Sequence, residues 1–310
     1  MNILVTGGTG FLGSHLCKKL CELGNNVFCL DNNYTGKVSN IQNLLDKQNF
    51  HYIHHDIINP IILNNNIDQI FHLACPASPP KYQKDPIYTA KTCFIGSLNV
   101  LEFARRKNAV CLLSSTSEIY GEPEISPQVE TYRGNVNTLG IRSCYDEGKR
   151  IAETLFMDFN RFYNVETRII RIFNTYGPYM DKNDGRVITN FINQALRGKD
   201  ITIYGAGTQT RSFCYVTDLI DGMIKCMNSN YVKPINLGNP NELSIVKLAQ
   251  KILGLIKSDS RIIYKDLPED DPTHRKPNIH LARVLLEWEP KIDLNDGLKK
   301  TIAYFIETYH

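Results

Sequence analysis

Tyr145 and Lys149 are the two residues of the chain whose types and spacing most directly suggest chemistry. They lie four positions apart where the sequence predicts a helix, so both side chains share one helix face. A phenol has a pKa near ~10, and its use as a base at neutral pH requires about 4 kcal/mol of stabilisation of the phenolate. A neighbouring ammonium group provides such stabilisation. The same spacing occurs in ordinary amphipathic helices, so other motifs must decide between the two interpretations.

A glycine-rich turn near the start of the chain predicts a dinucleotide site. It lies between an apolar strand and a helix and contains Gly7, Gly10, Phe11 and Gly13. Glycine permits the tight turn and lets a diphosphate approach the N-terminus of the helix. Asp31 ends the next strand, eighteen residues after Gly13, where a carboxylate accepts from ribose hydroxyls and repels a 2'-phosphate. The motif therefore favours NAD over NADP.

A third motif places hydroxyl groups after a buried strand. The apolar run at 110–113 leads directly into Ser114, Ser115 and Thr116. Polar side chains at the carboxyl end of a central strand lie where open α/β sheets bind ligands. Thr116 precedes Tyr145 by 29 residues, so one intervening loop brings the two together over a nicotinamide. The order of the three motifs argues against a chance occurrence of Tyr145 and Lys149.

Alternating apolar strands and helices predict an α/β protein with a doubly wound parallel Rossmann sheet. In the first part of the chain we expect strands at 2–6, 27–30, 69–73, 110–113 and 167–172, with helices near 86–106 and 144–163. Later we expect helices at about 186–197, 217–228, 244–256, 279–287 and 294–309, strands near 201–204, 212–216 and 261–265, N-caps at Thr217 and Ser244, and an acidic loop at Pro268–Pro272. We therefore predict a Rossmann domain over 1–172, to which the chain crosses back near 205–230, and a smaller α/β lobe over 173–310.

Composition excludes several classes of protein. With 310 residues, 42% hydrophobic and 22% charged, the chain is typical of a soluble globular protein of two lobes. A net charge of +3 without basic runs predicts no nucleic-acid partner. Nine scattered cysteines without a Cys-x-x-Cys pair predict reduced thiols in the cytoplasm. We expect no signal peptide and no membrane span, because the chain has no long apolar run. We also expect no metal site, since the histidines at 51, 54 and 55 have no evident carboxylate partner.

Further motifs carry a resemblance to a known family. They are Ala74–Pro79, Ser115–Gly121, Gly134–Asn137, Arg142–Arg150, Arg171–Pro178, Asp184–Val187, Gly207–Phe213 and His274–Pro277. With them the chain resembles the extended short-chain dehydrogenases/reductases that act on nucleotide sugars, and most closely the UDP-glucuronate decarboxylases, or UDP-xylose synthases. Related 4,6-dehydratases carry an aspartate where this chain has Ser117, which argues against dehydration. Glu118 remains as a single carboxylate.

The resemblance implies NAD-dependent decarboxylation of UDP-glucuronate to UDP-xylose through a 4-keto intermediate, with NAD recycled in place. It implies a homodimer formed through the helices near 86–106 and 144–163. The catalytic residues it implies are Thr116, Glu118, Tyr145, Lys149 and Arg275. Those for the cofactor are Gly7, Gly10, Phe11, Gly13, Asp31, Asp56, Leu73, Tyr145 and Lys149. Those for the substrate are Ser117, Asn174, Arg186, Tyr204, Gln209, Arg211 and Arg275.

Other interpretations remain open at this point. One is a decarboxylase that releases the 4-ketopentose and NADH, and another is a 4,6-dehydratase or 4-epimerase of nucleotide sugars. A non-catalytic binding protein is disfavoured by the intact catalytic motif. Three positions depart from the family pattern, namely Cys93 for asparagine, Arg133 for tryptophan and Thr138 for proline. We expect these changes to loosen packing without removing a catalytic group.

Overall fold

The computed structural model describes residues 1–266 and 274–309, so the acidic loop predicted at Pro268–Pro272 lies outside the described residues. The strands are β1 (Asn2–Thr6), β2 (Asn26–Asp31), β3 (Phe50–His54), β4 (Gln69–His72), β5 (Val110–Thr116), β6 (Thr167–Ile172), β7 (Thr175–Tyr176), β8 (Ile201–Tyr204), β9 (Thr210–Ser212), β10 (Cys214–Tyr215), β11 (Pro234–Leu237), β12 (Glu242–Ser244), β13 (Ile262–Lys265) and β14 (His274–Arg275). The helices are α1 (Phe11–Glu22), α2 (Pro79–Tyr82), α3 (Pro86–Lys91), α4 (Ser97–Lys107), α5 (Ser143–Tyr163), α6 (Val187–Leu196), α7 (Val216–Met227), α8 (Ile245–Ile256), α9 (His280–Leu286) and α10 (Leu294–Tyr309).

Seven parallel strands form the central sheet, in the order β11-β6-β5-β4-β1-β2-β3. The strand order reverses between β1 and β4, and parallel sheets bind ligands at the carboxyl ends of the strands beside such a reversal. The predicted doubly wound parallel fold is therefore confirmed. The edge strand β11 was not predicted, and it enters the sheet after α7, which packs against α1 and β6.

Alternation along β1 explains why both faces of the sheet are covered. Ile3 and Val5 pack in the same cluster as Leu16 and Leu20 of α1, whereas Leu4 belongs to the cluster on the opposite face. Successive side chains of a strand point to opposite faces, so one buried strand supplies both clusters. Ile3, Leu4 and Val5 are fully buried. Burying each such side chain contributes ~1.5–3 kcal/mol relative to exposure.

Helix α5 holds the Tyr–Lys pair in place because one face of the helix is buried against the sheet. Ala152 and Phe156 continue the buried face that begins with Tyr145 and Lys149, at helical spacing. The helix packs against β5 and β6. Phe156 is fully buried, and truncating such a residue to alanine costs ~3–5 kcal/mol. The position of the pair therefore depends on the hydrophobic core of the sheet.

The helix predicted over 86–106 is interrupted by a π-helical turn. Helix α3 ends at Lys91, the turn occupies Thr92–Gly96, and α4 begins at Ser97. Such turns are frequent near functional sites. Cys93 in the turn packs against α5, where a Cβ at Gly148 would lie 2.9 Å from the Cys93 Sγ. Glycine at 148 therefore allows the turn to approach the helix that carries Tyr145.

The second part of the chain forms three small sheets. Strand β7 pairs with β10, β8 pairs with β13, and β9 lies between β12 and β14. The strand predicted at 212–216 is wrong in extent, because Phe213 separates β9 from β10. Strand β9 pairs with β12 and β14, whereas β10 pairs with β7. The segment is therefore divided between two sheets.

Of the two predicted N-caps, one is wrong and the other is correct. Helix α7 begins at Val216, directly after the strand residue Tyr215, so Thr217 lies inside the first turn. Pairing of β10 with β7 sets this start, and it overrides the local preference of threonine. Ser244 caps α8, and its hydroxyl accepts a hydrogen bond from the Lys247 N–H at 3.4 Å.

Candidate active site

One cleft of about 850 Å³ lies between the central sheet and the small sheets. The loops after β1, β4, β5 and β6 form one wall, and residues of β8, β9 and β14 form the other. Every residue predicted for the site lines this cleft: Gly7, Gly10, Phe11, Gly13, Asp31, Asp56, Leu73, Thr116, Ser117, Glu118, Tyr145, Lys149, Asn174, Arg186, Tyr204, Gln209, Arg211 and Arg275. The fold thus brings together residues that are up to 268 positions apart in the sequence, from Gly7 to Arg275.

Tyr145 and Lys149 lie side by side in the cleft, and both are buried. The Lys149 Nζ donates a hydrogen bond to the Ser114 carbonyl oxygen at 2.9 Å and lies 5.9 Å from the centre of the Tyr145 ring. The hydrogen bond fixes the ammonium group between the carboxyl end of β5 and the phenol ring. The main chain of β5 at Ser114 therefore orients the Lys149 side chain.

The protein alone does not prepare Tyr145 as a base. Burial raises its pKa well above 10, Cys75 adds to the rise, and Thr116 opposes it. The sequence led us to expect a lowered pKa from the ammonium of Lys149, so the direction in the isolated chain is opposite. Burial is the reason, because moving a phenolate out of water costs more than these neighbours return.

A stacked tyrosine beside Tyr145 was missed by sequence reasoning. The rings of Tyr82 and Tyr145 are nearly parallel, at an interplanar angle of 4°, with centroids 5.0 Å apart. Tyr82 ends helix α2, which begins with Pro79 and Pro80. Offset stacking of this kind contributes ~0.5–1.5 kcal/mol beyond burial. The Ala74–Pro79 motif indicated a structured loop, but not the ring that it places against Tyr145.

A cluster of three charged side chains lies next to the tyrosine. The Glu118 Oε2 accepts from Arg142 Nη2 at 2.6 Å and from Arg275 Nη2 at 3.3 Å. Arg275 is 2% exposed, and its Nη1 also donates to the Gly121 carbonyl oxygen at 2.6 Å. Burial acts to raise the pKa of Glu118, but Arg275 and Arg142 lower it to about 2. Glu118 is therefore ionised at neutral pH.

Arg142 belongs to the motif at 142–150 but received no role in the sequence analysis. Its ion pair with Glu118 is the shorter of the two. Three segments meet here: the 3-10 helix Ser117–Tyr120, the residue before α5, and strand β14. The local sequence does not predict that these three segments are in contact. The only signal was the position of an arginine three residues before Tyr145.

The glycine turn is shaped to receive a diphosphate. A Cβ at Gly13 would lie 2.1 Å from the Gly7 carbonyl oxygen, and one at Gly7 would lie 2.7 Å from the Ala74 nitrogen. Gly7 also has a φ of +75°, a conformation that L side chains rarely adopt. Helix α1 begins after Gly10 without a side-chain cap. Its N-terminus therefore faces the cleft with N–H groups suited to an anion.

Asp31 is held for hydrogen bonding to a ribose. Its two carboxylate oxygens accept from the Thr9 N–H at 3.0 Å and from the Asn33 N–H at 2.7 Å. Each oxygen keeps a second lone pair for a hydroxyl group. Asp56 instead accepts from the hydroxyl of Tyr88 at 2.7 Å and from Asn32 Nδ2 at 2.9 Å. The residues present thus fit a dinucleotide with an unmodified ribose.

The opposite wall carries the polar residues predicted for the substrate. Arg211 is buried, and its Nη1 donates to the Thr210 carbonyl oxygen at 2.9 Å. Arg186 precedes helix α6 and pairs with Asp184 at 3.1 Å, with about a third of its side chain exposed. Gln209 donates to the Tyr204 carbonyl oxygen at 2.6 Å. Two guanidinium groups therefore line the cleft on this wall.

The predicted loosening at Cys93 is not what the structure contains. Cys93 is buried, and its Sγ lies 3.3 Å from the Sγ of Cys75, which lines the cleft. A thiol is smaller than an asparagine amide, yet the π-helical turn brings the Cys93 side chain close to Cys75 and to Gly148 of α5. The departure from the family pattern is accommodated by close packing.

The predictions about metal and membrane binding concern the histidines near β3 and the helices. His51 contacts Asn26 Oδ1 at 2.7 Å, while His54 contacts the Tyr52 hydroxyl at 3.2 Å. No cluster of three or more histidine, cysteine, aspartate or glutamate residues that could hold a metal occurs in 1–266 or 274–309. Within the same ranges, no helix combines the length and apolar character needed to cross a membrane.

The chain belongs to the NAD dependent epimerase/dehydratase family, which matches residues 3–238. UDP-glucuronic acid decarboxylase 1 of Xenopus tropicalis is 52% identical over 303 residues, covering 98% of this chain and 72% of that protein. UDP-glucuronic acid decarboxylase 6 of Arabidopsis thaliana is 51% identical over 299 residues, covering 96% and 87%. The predicted resemblance to this group is confirmed.

A solved structure supports the same assignment at the level of the fold. The UDP-glucuronic acid 4-epimerase from Bacillus cereus, in complex with UDP-glucuronic acid and NAD, superimposes with a TM-score of 0.91. The two proteins are 28% identical, and the match covers the whole of both chains. That enzyme therefore shares the arrangement of sheet and cleft described above.

Proposed function

We propose that this protein is an NAD-dependent decarboxylase that converts UDP-glucuronate to UDP-xylose. The observation that carries the proposal is the combination, in one cleft, of the Tyr145–Lys149 pair with the ion-paired cluster of Glu118, Arg142 and Arg275. The pair suits removal and return of a hydride, and the cluster suits an acidic sugar. The names of the relatives that are about half identical support the same substrate and reaction.

The first step is oxidation at C4 of the sugar. Tyr145 removes the proton of the 4-hydroxyl group, while Thr116 hydrogen-bonds the reacting oxygen and Lys149 stabilises the phenolate. NAD held by the glycine turn and Asp31 would supply the hydride acceptor for C4 and return the hydride at the end of the cycle. Burial acts against formation of the phenolate at Tyr145, and the hydrogen bond from Thr116 opposes that effect.

The second step is loss of carbon dioxide. The 4-ketone lies β to the carboxylate at C5, so the electrons of the breaking bond flow into the ketone and form an enolate. Arg275 holds the carboxylate end of the sugar, and Glu118 fixes Arg275 in place through the 3.3 Å ion pair. Return of the hydride to C4 then gives UDP-xylose, so the reaction has no net oxidation.

The remaining predicted residues hold the two ligands. Gly7, Gly10, Phe11 and Gly13 cradle the diphosphate of NAD, Asp31 binds its ribose, and Asp56 and Leu73 flank the adenosine and nicotinamide. Asn174, Arg186 and Arg211 bind the sugar diphosphate, Ser117 contacts the sugar, and Tyr204 and Gln209 contact the uridine. Guanidinium groups suit a diphosphate because they offer paired donors. Residues 1–172 thus form the NAD domain, with α7 and β11 added to its sheet, and residues 173–310 mainly bind the nucleotide sugar.

We also propose a homodimer and a cytoplasmic location. The helices expected at the dimer contact expose apolar side chains, namely Ile87, Phe94, Ile95, Ile151 and Phe162. Exposed apolar groups gathered on neighbouring helices are typical of protein–protein contacts. All nine cysteines are free thiols, which suits a reducing compartment. Measuring the molar mass by light scattering tests the dimer.

The reaction is tested by incubating the protein with NAD and UDP-glucuronate and separating the products. We expect UDP-xylose and carbon dioxide, without free NADH in proportion to turnover. Stoichiometric NADH together with UDP-4-ketopentose would instead identify the decarboxylase that releases its intermediate. Formation of UDP-galacturonate without carbon dioxide would identify a 4-epimerase and contradict the proposal.

A further inference from the structure

Two carboxyl groups, the half-buried one of Glu118 and the buried one of Asp146, line a second, smaller cavity beside the active site. This cavity has a volume of about 350 Å³, and Glu118 and Asp146 both line it. Glu118, Arg142 and Arg275 line the main cleft as well, so this charged cluster forms the boundary between the two spaces. These three side chains are therefore shared by the main cleft and the second cavity.

The two carboxyl groups differ in their partners. Glu118 accepts from two arginines, as described above. Asp146 follows Tyr145 on helix α5 and is 8% exposed. Its Oδ1 is buried and has no hydrogen-bond partner in the part of the chain that the structure describes. An ionised carboxylate without a donor is costly to bury, whereas a protonated one is tolerated.

The electrostatic surroundings also favour a protonated Asp146 and an ionised Glu118, because they shift the two pKa values in opposite directions. Burial raises the pKa of Asp146 to about 7, and the Glu118 carboxylate adds to the rise while Arg142 and Arg275 oppose it. The pKa of Glu118 is lowered to about 2. Paired groups driven apart in this way mark an acid and a base. The charged and titratable groups that act on Asp146 or feel its charge are Glu118, Arg142, Arg275, Glu147, Tyr82 and Cys144.

The proposed reaction needs exactly one proton from outside the substrate. Tyr145 takes a proton from the 4-hydroxyl and gives it back when the hydride returns, so it contributes none. When the bond from C5 to the carboxylate breaks, its electron pair enters the enolate, and a proton must then bind C5. Glu118 is already ionised and has no proton to give.

We propose that Asp146 is the proton reservoir for this step, acting through the second cavity and Glu118; the inference rests on the proposed decarboxylase function. A water molecule oriented by Glu118 gives a proton to C5 as the enolate collapses to the 4-ketone. The resulting hydroxide takes the proton of the Asp146 carboxyl group, which becomes a carboxylate. Solvent protons then restore Asp146, so that each turnover consumes one proton and releases one carbon dioxide.

The test is the substitution Asp146→Asn, which keeps the shape of the side chain and removes its acidic proton. We expect NAD binding and carbon dioxide release to persist. The ratio of UDP-xylose to released UDP-4-ketopentose should fall about tenfold or more, because the enolate loses its proton source before the hydride returns. In the wild type, the same ratio should fall as the pH rises through about 7, where Asp146 loses its proton. In Asp146→Asn this pH dependence should be absent.

The matched control is Glu147→Gln, which removes the next carboxyl group of the same helix. Glu147 pairs with Arg150 at 3.5 Å, has a side chain that is 40% exposed, and lines neither cavity. Its product ratio at low pH should equal that of the wild type, and the midpoint of its pH profile should move only slightly to lower pH, because Glu147 is the weakest of the charges that act on Asp146. If Asp146→Asn binds NAD and releases carbon dioxide with the wild-type ratio and pH profile, the reservoir is elsewhere. A wild type that forms no carbon dioxide would overturn the decarboxylase function itself.

Discussion

Two neighbouring regions of the cleft are assembled in different ways. The hydride region consists of Thr116, Tyr145 and Lys149, which lie on one strand and one helix that pack directly together. The carboxylate region consists of Glu118, Arg142 and Arg275, which come from three separate segments. The first is built into the core of the sheet, and the second depends on charge pairing. The residues proposed for hydride transfer thus lie on the central sheet and its helix, while those proposed for decarboxylation lie where three segments meet.

The largest effect is expected for the hydride region. Tyr145→Phe removes the group proposed to take the 4-hydroxyl proton, so turnover should fall by about 10²–10⁴-fold. The substitution keeps the ring that stacks on Tyr82, and NAD binding should therefore be unchanged. Steady-state kinetics and NAD titration check this. Normal turnover by the variant would remove Tyr145 from its assigned role.

In the carboxylate region, Arg275→Ala should lower kcat by about 10²–10³-fold, since one buried cation no longer holds the acidic end of the sugar. The loss also leaves Glu118 with Arg142 as its remaining guanidinium partner, and removing one hydrogen bond to a charged group costs ~1.5–3 kcal/mol of folding stability. Thermal unfolding separates the two effects. The control is Arg283→Ala, whose ion pair with Glu289 is more than half exposed and whose loss should change neither quantity.

A smaller effect is expected at Arg142. Arg142→Gln removes the shorter of the two ion pairs of Glu118, so the pKa of Glu118 should rise from about 2 toward its ordinary value. Because the proposed role needs the carboxylate, the acid limb of the pH–rate profile should move to higher pH. About fourfold lower activity near pH 4 than the wild type is expected, with little change at pH 8. An unshifted acid limb would separate Glu118 from the reaction.

The smallest expected effect concerns stability. Asp146 has a folded-state pKa raised from 3.8 to about 7, so it favours the folded state fully only below pH 3.8, and this contribution is lost as the pH rises through 7. Asp146→Asn should remove that dependence. Relative to wild type, the variant should gain about 1 kcal/mol or more between pH 6 and pH 8. Urea unfolding at pH 6 and pH 8 measures the free energy of unfolding of both proteins. If that free energy changes equally with pH in the wild type and in the variant, the assigned direction of the Asp146 pKa shift is wrong.

Sequence reasoning succeeded where the signal was local. The glycine turn, Asp31 and the Tyr145–Lys149 spacing each depend on a few adjacent residues, and strands such as β1 follow from one apolar run. The fold class was predicted correctly for the same reason. All predicted site residues line one cleft because parallel strands deliver their carboxyl ends to the same edge.

The remainder required contacts between distant segments. Strand β11 is short and joins the sheet only by pairing with β6, and Thr217 lost its predicted capping role because β10 pairs with β7. The ion pair of Arg142, the ring of Tyr82 and the burial of Asp146 are likewise set by packing. The raised pKa of Tyr145 shows the same limit, since the Lys149 spacing was visible in the sequence and the extent of burial was not.

The central claim is that the two regions perform separable steps, and single-turnover experiments on Tyr145→Phe and Arg275→Gln test it most directly. Each variant is mixed with NAD and with UDP-glucuronate labelled at the carboxylate carbon, and enzyme-bound NADH and labelled carbon dioxide are followed together. Tyr145→Phe should form neither. Arg275→Gln should form NADH while its release of carbon dioxide is delayed. If Arg275→Gln binds the substrate but loses both signals to the same extent, the two regions are not separable and the account is wrong.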